Sequence, residues 1–337
     1  VYDRRRRPGA PVTAVVTVTV NPALDQTLWI PGFAAGQVNR VDREVVRPGG
    51  KGVNVAARLA ELGVPVAATG LLGNDNAAPF VALMADRGIE DGFVRQPGAT
   101  RTGVKIVDPV GDRTTDINFP GEPPDARSLV DLEDRVSALA GGASWIVLAG
   151  SLPPGVPTDL YRRLIEVAHE RGASVALDTS GEALRRAVEA RPDLIKPNEH
   201  ELEDLVGRRL DRPDDVLDAA RELADFGLEF AVVSMGAHGA LFCRRDLLVH
   251  AAPLPVSVAS TVGAGDAMVA GVIAARLGHL PLHAVAAFAT ACSASAISAV
   301  DARLDRGAVE ALATTVHVTP KPVVAPAGSR TGIQGES

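Results

Sequence analysis

Hydrophobic and polar positions change rhythm along this chain. Residues 12–20 form a run in which Val and Thr alternate, leading into N-P-A-L-D, and predict a buried first strand. Residues 51–62, K-G-V-N-V-A-A-R-L-A-E-L, read as a helix closed by Gly63. A strand over 66–70 and a helix over 76–87 follow. The stretch 93–119 differs. V-K-I-V at 104–107 and T-T-D-I-N-F at 114–119 flank D-P-V-G-D, which is a hairpin pattern. Residues 25–47 are also short and extended, with breakers at Pro31, Gly32 and Gly36. The two stretches together can build a small sheet outside the main one, either as a lid over a site or as an ordinary edge extension.

From residue 127 the pattern becomes a regular βα alternation. Strands are predicted at 144–149, 174–178, 193–196 and 229–234, and helices at 127–139, 158–171, 199–206 and 213–226. Such alternation implies an α/β fold, a mostly parallel sheet with helices on both faces. Residues 264–277 and 281–299 are Ala-rich and apolar and predict packed helices. The last twenty residues, V-T-P-K-P-V-V-A-P-A-G-S-R onward, read as a flexible tail, and no internal repeat interrupts the order.

Composition narrows the function. With 337 residues, 46% hydrophobic and 22% charged, a packed core is expected and wholesale disorder is excluded. The net charge of −7 argues against a general nucleic-acid or anionic-membrane binder, but leaves room for a local basic pocket. Two cysteines, Cys243 and Cys292, exclude a disulfide framework and fit a reducing, cytoplasmic location. No segment offers the ~20 apolar residues of a bilayer span. Only Lys51, Lys105, Lys196 and Lys321 are lysine among 34 basic residues. Coding bias explains the arginines, but leaves open why these positions stayed lysine.

Four motifs carry candidate chemistry. S-T-V-G-A-G-D at 260–266 precedes a helix, so the amides of Gly263, Ala264 and Gly265 can converge on an anion at the helix start. Asp266, in the first turn, would repel that anion unless it takes a proton from a hydroxyl attacking a phosphoryl group held there. A Gly-rich turn with Asp as a cap is the structural alternative. R-P-G-G-K-G-V-N at 47–54 exposes backbone at Gly49, Gly50 and Gly52, and offers Lys51 and Asn54 as donors to a phosphorylated or polyhydroxylated ligand. It is neither a Walker A loop nor a dinucleotide fingerprint. In L-I-K-P-N-E-H-E at 194–201, Lys196 could reach nucleotide phosphates, and Asn198 and Glu201 could face a hydrated divalent cation, although the same spacing suits a capping box. Finally, Asp25, Ser151, Asp178 and Ser234 each follow an apolar run, where ligands of open parallel sheets bind. The seven histidines form no zinc pattern, and no nucleophile elbow is present.

Taken in order, N-P-A-L-D, G-G-K-G-V-N-V-A, G-S-L-P-P-G, K-P-N-E-H-E, S-M-G-A-H-G-A and T-V-G-A-G-D resemble the ribokinase-like (phosphofructokinase B) family of sugar kinases, from about residue 15 to about 300. T-R-T-G-V-K-I at 100–106 and T-D-I-N-F at 115–119 look most like the branch acting on phosphorylated ketohexoses. The S-T-V-G-A-G-D form, with Val262, fits that branch. The resemblance implies a doubly wound α/β domain over 13–316 with a β-sheet lid from about 25–47 and 93–119; the ends at 1–12 and 317–337 have no counterpart in it and read as flexible tails.

It also implies ATP-dependent phosphorylation of a ketohexose phosphate. Fructose 1-phosphate is expected ahead of tagatose 6-phosphate or fructose 6-phosphate, and a non-catalytic sugar-phosphate-binding regulator is the alternative from another class. Asp266 matches the family's base, and Gly263, Ala264 and Gly265 its anion hole. Asp25, Gly49, Gly50 and Asn54 match its sugar contacts. Lys51, Arg101, Lys105 and Ser151 look like ligands of the sugar's own phosphate. Lys196, Asn198, Ser234, Gly236, Gly239 and Thr261 match the nucleotide side, and Asn198 with Glu201 the magnesium-associated motif. ATP and Mg2+ are the implied cofactors, and a homodimer through the lid the implied assembly.

Overall fold

The computed structural model describes residues 13–245, 247–257, 262–298 and 303–322. The first half of the chain builds parts of two sheets. Strand β1 (Val15–Thr19) runs into β2 (Ala23–Trp29) and β3 (Arg43–Gly49), and α1 (Lys51–Glu61) returns to β4 (Val66–Gly73). Helix α2 (Ala78–Arg87), the short β5 (Glu90–Asp91) and β6 (Val94–Gln96), then β7 (Thr102–Asp108) and β8 (Arg113–Asn118) complete it. The alternation that follows is α3 (Ala126–Ala140), β9 (Trp145–Ala149), α4 (Leu160–Glu170), β10 (Ser174–Asp178), α5 (Gly181–Val188), β11 (Leu194–Ile195), α6 (Glu199–Val206), α7 (Pro213–Glu222) and β12 (Phe230–Ser234). The chain then forms β13 (Ala240–Arg244), β14 (Leu247–Ala251), α8 (Ala264–Leu277), α9 (Leu282–Ile297), α10 (Arg306–Ala313) and β15 (Val318–Lys321).

The main sheet has the order β15-β14-β13-β12-β11-β10-β9-β1-β4-β5, with β6 also on β4. It is parallel from β12 to β5 and antiparallel at the β13–β15 edge. Its faces carry separate cores. Val53, Phe80, Val269, Val285 and Val309 pack one side through α1, α2, α8, α9 and α10. Leu132, Leu160, Leu184, Leu202 and Val216 pack the other through α3 to α7. Burial on both faces explains why these strands read as continuous apolar runs. Strand β1 leads through α1 to β4 on one flank, whereas β9 and its successors extend the other flank. The crevice beyond β1 and β9 is therefore the switch point where such sheets bind ligands.

A separate four-stranded sheet, β3-β2-β7-β8, is the lid. The two extended stretches of the sequence meet in it through a parallel β2–β7 pairing, Leu24 opposite Thr102 through Trp29 opposite Val107. The tip of the β7–β8 hairpin is ordered by buried Asp108, which accepts from the amides of Gly32, Val110 and Gly111 and from Arg113. These bonds, Arg113 first, hold its carboxyl at about 2.

The sequence reading needs correction at its end. Residues 318–321, expected in the flexible tail, pair with β14 as an edge strand, and Pro320 is tolerated because an edge strand can leave one amide out of the ladder. Residues 1–12 and 323–337 lie outside the described residues. Among the described residues, no helix is long and apolar enough to cross a membrane.

Candidate active site

The centre of the site forms where α1, α8 and the ends of β10 and β11 meet. Helix α8 starts after Gly263, whose φ of 82° places it in the left-handed region, and no side chain caps that end. Its first amides are thus open to an anion. Lys196, just after β11, reaches the same place: a Cβ on Gly265 would stand 3.3 Å from its Nζ. An alanine at 265 would press on this ammonium, which would have to give by a few tenths of an ångström.

Asp266 occupies the first turn of α8 and is buried. Asn54, on α1, donates from Nδ2 to Asp266 Oδ2 at 2.8 Å, which fixes the carboxylate's orientation. Burial pushes the Asp266 carboxyl up to about 6, reinforced by the Asp178 charge and opposed by the Asn54 bond and by Lys51 and Lys196. It is therefore mainly ionised at neutral pH, yet a better proton acceptor than a surface aspartate.

Asp178 is the residue the sequence reading underused. In the sequence it shows only as a polar residue after an apolar run. In the structure it ends β10 and joins two site lysines: Lys51 Nζ lies 3.0 Å and Lys196 Nζ 3.5 Å from its Oδ1. Burial pushes this carboxyl upward, but Lys196 and Lys51 outweigh it and hold it below the ordinary value. For Lys51, burial favours the neutral amine, but Asp178 reverses this and raises its pKa. Asp178 Oδ2 is buried without a partner among the described residues. Two of the chain's four lysines thus meet at one carboxylate, and no residue spacing in the sequence signals that convergence.

Helix α1 approaches the sheet closely at its start. Gly50, with φ 117°, precedes it, and a Cβ on Gly52 would come within 2.4 Å of Thr19 Oγ1. These glycines let Lys51 and Asn54 project over the end of β1.

The sugar-side residues divide between core and lid. Asp25, on β2, is wedged against Gly49: a Cβ there would sit 2.0 Å from Asp25 Oδ2. Desolvation raises its carboxyl, with Arg101 and Lys105 opposing. Arg101 donates to the carbonyls of Phe119 at 2.8 Å and Asn21 at 3.3 Å, tying the end of the lid to the end of β1. Asn21, which the sequence reading passed over, donates to Pro120 O and to Ser151 Oγ at 3.3 Å. Val20, Asn21, Thr100, Arg101, Gly121 and Pro153 line one cleft. Lys105 is paired with Asp116 on β8. Ser151 follows Gly150, where a Cβ would stand 3.8 Å from Lys51 Cβ, and Arg101 and Lys105 both act on the Asp25 carboxyl.

On the nucleotide side, Asn198 and Glu201 form a full capping box. Glu201 N donates to Asn198 Oδ1 at 2.8 Å, and Asn198 N to Glu201 Oε2 at 2.9 Å. Both readings of this motif remain compatible, since the cap leaves Glu201 Oε1 uncommitted. Ser234 ends β12 and bridges to Asn198. Gly236 opens a short turn with φ 52°. Gly239 has a packing reason of its own, because a Cβ would strike Ala251 O at 2.2 Å. Thr261 lies outside the described residues. Among those described, no group of three or more His, Cys, Asp or Glu could hold a metal ion directly.

Open amides at a helix start, a buried carboxylate and two lysines meet at the switch point of a doubly wound sheet, and the chain belongs to the pfkB family carbohydrate kinases, whose model matches residues 16–306. It is a phosphotransferase with an alcohol acceptor. It is 48% identical over 316 residues to the 1-phosphofructokinase of Rhodobacter capsulatus, covering 92% of this chain and 99% of that one. It is 43% identical over 293 residues to the 1-phosphofructokinase of Xanthomonas campestris pv. campestris, covering 86% and 92%. Among solved structures, the phosphofructokinase-2 of Escherichia coli in complex with substrates and products matches with a TM-score of 0.84 at 30% identity, over 90% of this chain and 99% of that one.

Proposed function

We propose that the protein transfers the γ-phosphoryl group of ATP to the 6-hydroxyl of fructose 1-phosphate, giving fructose 1,6-bisphosphate and ADP. The observation that carries this reading is the buried Asp266 in the first turn of α8, held by Asn54 from the sugar-side helix, with Lys196 over the adjacent Gly265. Similarity to two 1-phosphofructokinases over most of their length supports the choice of sugar.

In the transfer, Asp266 accepts the proton of the acceptor hydroxyl as its oxygen bonds to the γ-phosphorus and the bond to the β-phosphate oxygen breaks. The amides of Gly263, Ala264 and Gly265, with Lys196, hold the moving group. The transition state of such a transfer is loose, so positioning and neutralisation supply most of the rate. Lys51, held on Asp178 beside this centre, adds positive charge there. Asp25, Gly49, Gly50 and Asn54 bind the sugar, and Arg101, Lys105 and Ser151 face its existing phosphate. Ser234, Gly236, Gly239 and Thr261 belong to the nucleotide side.

A divalent cation, Mg2+ in this reading, fits the oxygen-only pair Asn198 and Glu201 as a hydrated ion held mainly by the nucleotide's phosphates. When bound, it neutralises charge on the triphosphate. The lid excludes water that would otherwise hydrolyse ATP. Its back face carries the row Val46, Gln26, Val104, Ile117, with Val46 and Ile117 exposed, which supports pairing of two copies through the lid. The two free thiols, Cys243 and Cys292, support a cytoplasmic setting.

The test is turnover with ATP, Mg2+ and fructose 1-phosphate against a no-sugar control, with the product identified by phosphorus NMR. Fructose 1,6-bisphosphate formation is expected. Sugar-phosphate binding without turnover would overturn the assignment in favour of a regulator.

A further inference from the structure

The T-D-I-N-F segment at 115–119 places Asn118 at the end of β8, on the lid. The register of the lid supplies its neighbours. Arg47 on β3 lies opposite Asp25 on β2, Asp25 opposite Gly103 on β7, and Gly103 opposite Asn118 on β8. Paired residues in a sheet share a face, so Asn118 stands on the face that carries Asp25, separated from it by one glycine.

That glycine needs an explanation. A glycine inside a strand weakens it, and usually marks a bulge or a place where something approaches the backbone closely. Pairing runs unbroken past Gly103 on both sides, and its φ is outside the positive region. Neither a bulge nor backbone strain accounts for it, which leaves space. A Cβ at Gly103 would stand 3.1 Å from Asp25 Oδ1 and 3.8 Å from Asn118 Oδ1. The two side chains therefore lean over the same small notch, with Gly103 as its floor.

The chemistry of the walls is complementary. An ionised Asp25 only accepts hydrogen bonds, whereas the Asn118 amide both donates and accepts. Neither side chain has a hydrogen-bond partner among the described residues. In the next row, Lys105 is paired with Asp116. A hydroxyl entering the notch could donate to Asp25 and accept from Asn118, or two neighbouring hydroxyls could divide these bonds.

We propose that the notch over Gly103 receives ring hydroxyls of the sugar, and that Asn118 is a further substrate-binding residue that sets specificity among sugars. The proposal rests on the phosphosugar-kinase reading above. It assigns the T-D-I-N-F segment a direct contact rather than a scaffold role.

The experiment begins with wild-type kcat and KM on fructose 1-phosphate, tagatose 6-phosphate and fructose 6-phosphate. Lack of turnover on the first would end that choice of substrate alone, and the notch would then be tested on whichever sugar is turned over. Asn118→Ala is expected to raise the sugar KM about 3- to 10-fold, the worth of one net hydrogen bond, with the KM for ATP unchanged. Gly103→Ala, which fills the notch, is expected to raise it about 10-fold or more. Analogues of the sugar lacking one ring hydroxyl, at carbon 3 or carbon 4, supply the second readout. For one of them, the Asn118→Ala penalty should vanish, because the hydroxyl it served is gone. An unchanged sugar KM in Asn118→Ala overturns the proposal, as does an equal rise in both substrates' KM values or a penalty that persists in both analogues.

Discussion

At the carboxyl end of the main sheet, Asp178, Lys196 and Asp266 are buried and tied to one another or to α1. On the lid, Asp25 and Asn118 keep solvent contact, and Lys105 makes only an ion pair with exposed Asp116. The difference fits the two jobs proposed for these groups. Groups that stabilise a transition state work best when fixed in advance in a low-dielectric setting. Groups that admit and release a sugar must stay accessible, and their bonds must be free for the ligand. The centre is therefore expected to govern kcat and stability, and the lid to govern sugar KM.

The largest effect expected is on kcat. Asp266→Asn should lower it by ~10²–10⁴-fold, the size of a lost general base, with sugar binding largely kept. A near-normal kcat would remove Asp266 from the chemistry. Asp178→Asn leaves two ammonium groups without their buried counter-charge, and should cost about 3 kcal/mol of stability, read by urea unfolding. Asp25→Asn should leave the unfolding midpoint nearly unchanged and raise the sugar KM. Equal destabilisation by both changes would erase the contrast between centre and lid.

Two smaller effects sharpen it. The Asp266 carboxyl sits at about 6, against 3.8 in an unfolded chain. As a base it must be ionised, so kcat/KM for the sugar should fall about tenfold per pH unit below about 6. Because the folded pKa is the higher one, the native state binds this proton more tightly. Stability tied to Asp266 is then lost as pH rises from about 4 to about 6, and Asp266→Asn should gain most in unfolding midpoint above pH 6. Lys51→Ala, at the centre, should lower kcat by about 10-fold, as for a lost electrostatic contact, whereas Lys105→Ala, on the lid, should raise the sugar KM about 10-fold with kcat kept, as for a lost hydrogen bond to a charged group. If Lys51→Ala raised only the sugar KM, Lys51 would belong with the sugar's own phosphate instead.

Much of this architecture was legible because local pattern and tertiary role coincide. The buried strands β1, β9, β10 and β12 read as apolar runs, and α1 and α6 announced themselves by their end residues. The β13–β14 hairpin went unread because its turn uses Arg245 at φ 52° where Asn-Gly or Asp-Gly would have signalled it. Helices α5 and α10, of eight residues each, went unread, although α5 buries Ala183, Leu184, Ala187 and Val188 at helical spacing. At the site, the placement of Gly263 before α8 and of Asp266 in its first turn was legible because both belong to one contiguous segment. Asp178 was not, since its partners Lys51 and Lys196 come from α1 and the end of β11. Arg101 was legible as a basic residue, but not its bonds to Asn21 and Phe119, which depend on how the lid meets the core.

The most direct test of the account is kcat/KM measured side by side on fructose 1-phosphate, fructose 6-phosphate and tagatose 6-phosphate with saturating ATP and Mg2+. The account predicts the highest value for fructose 1-phosphate, with fructose 1,6-bisphosphate as product. A higher value for either 6-phosphate would contradict it.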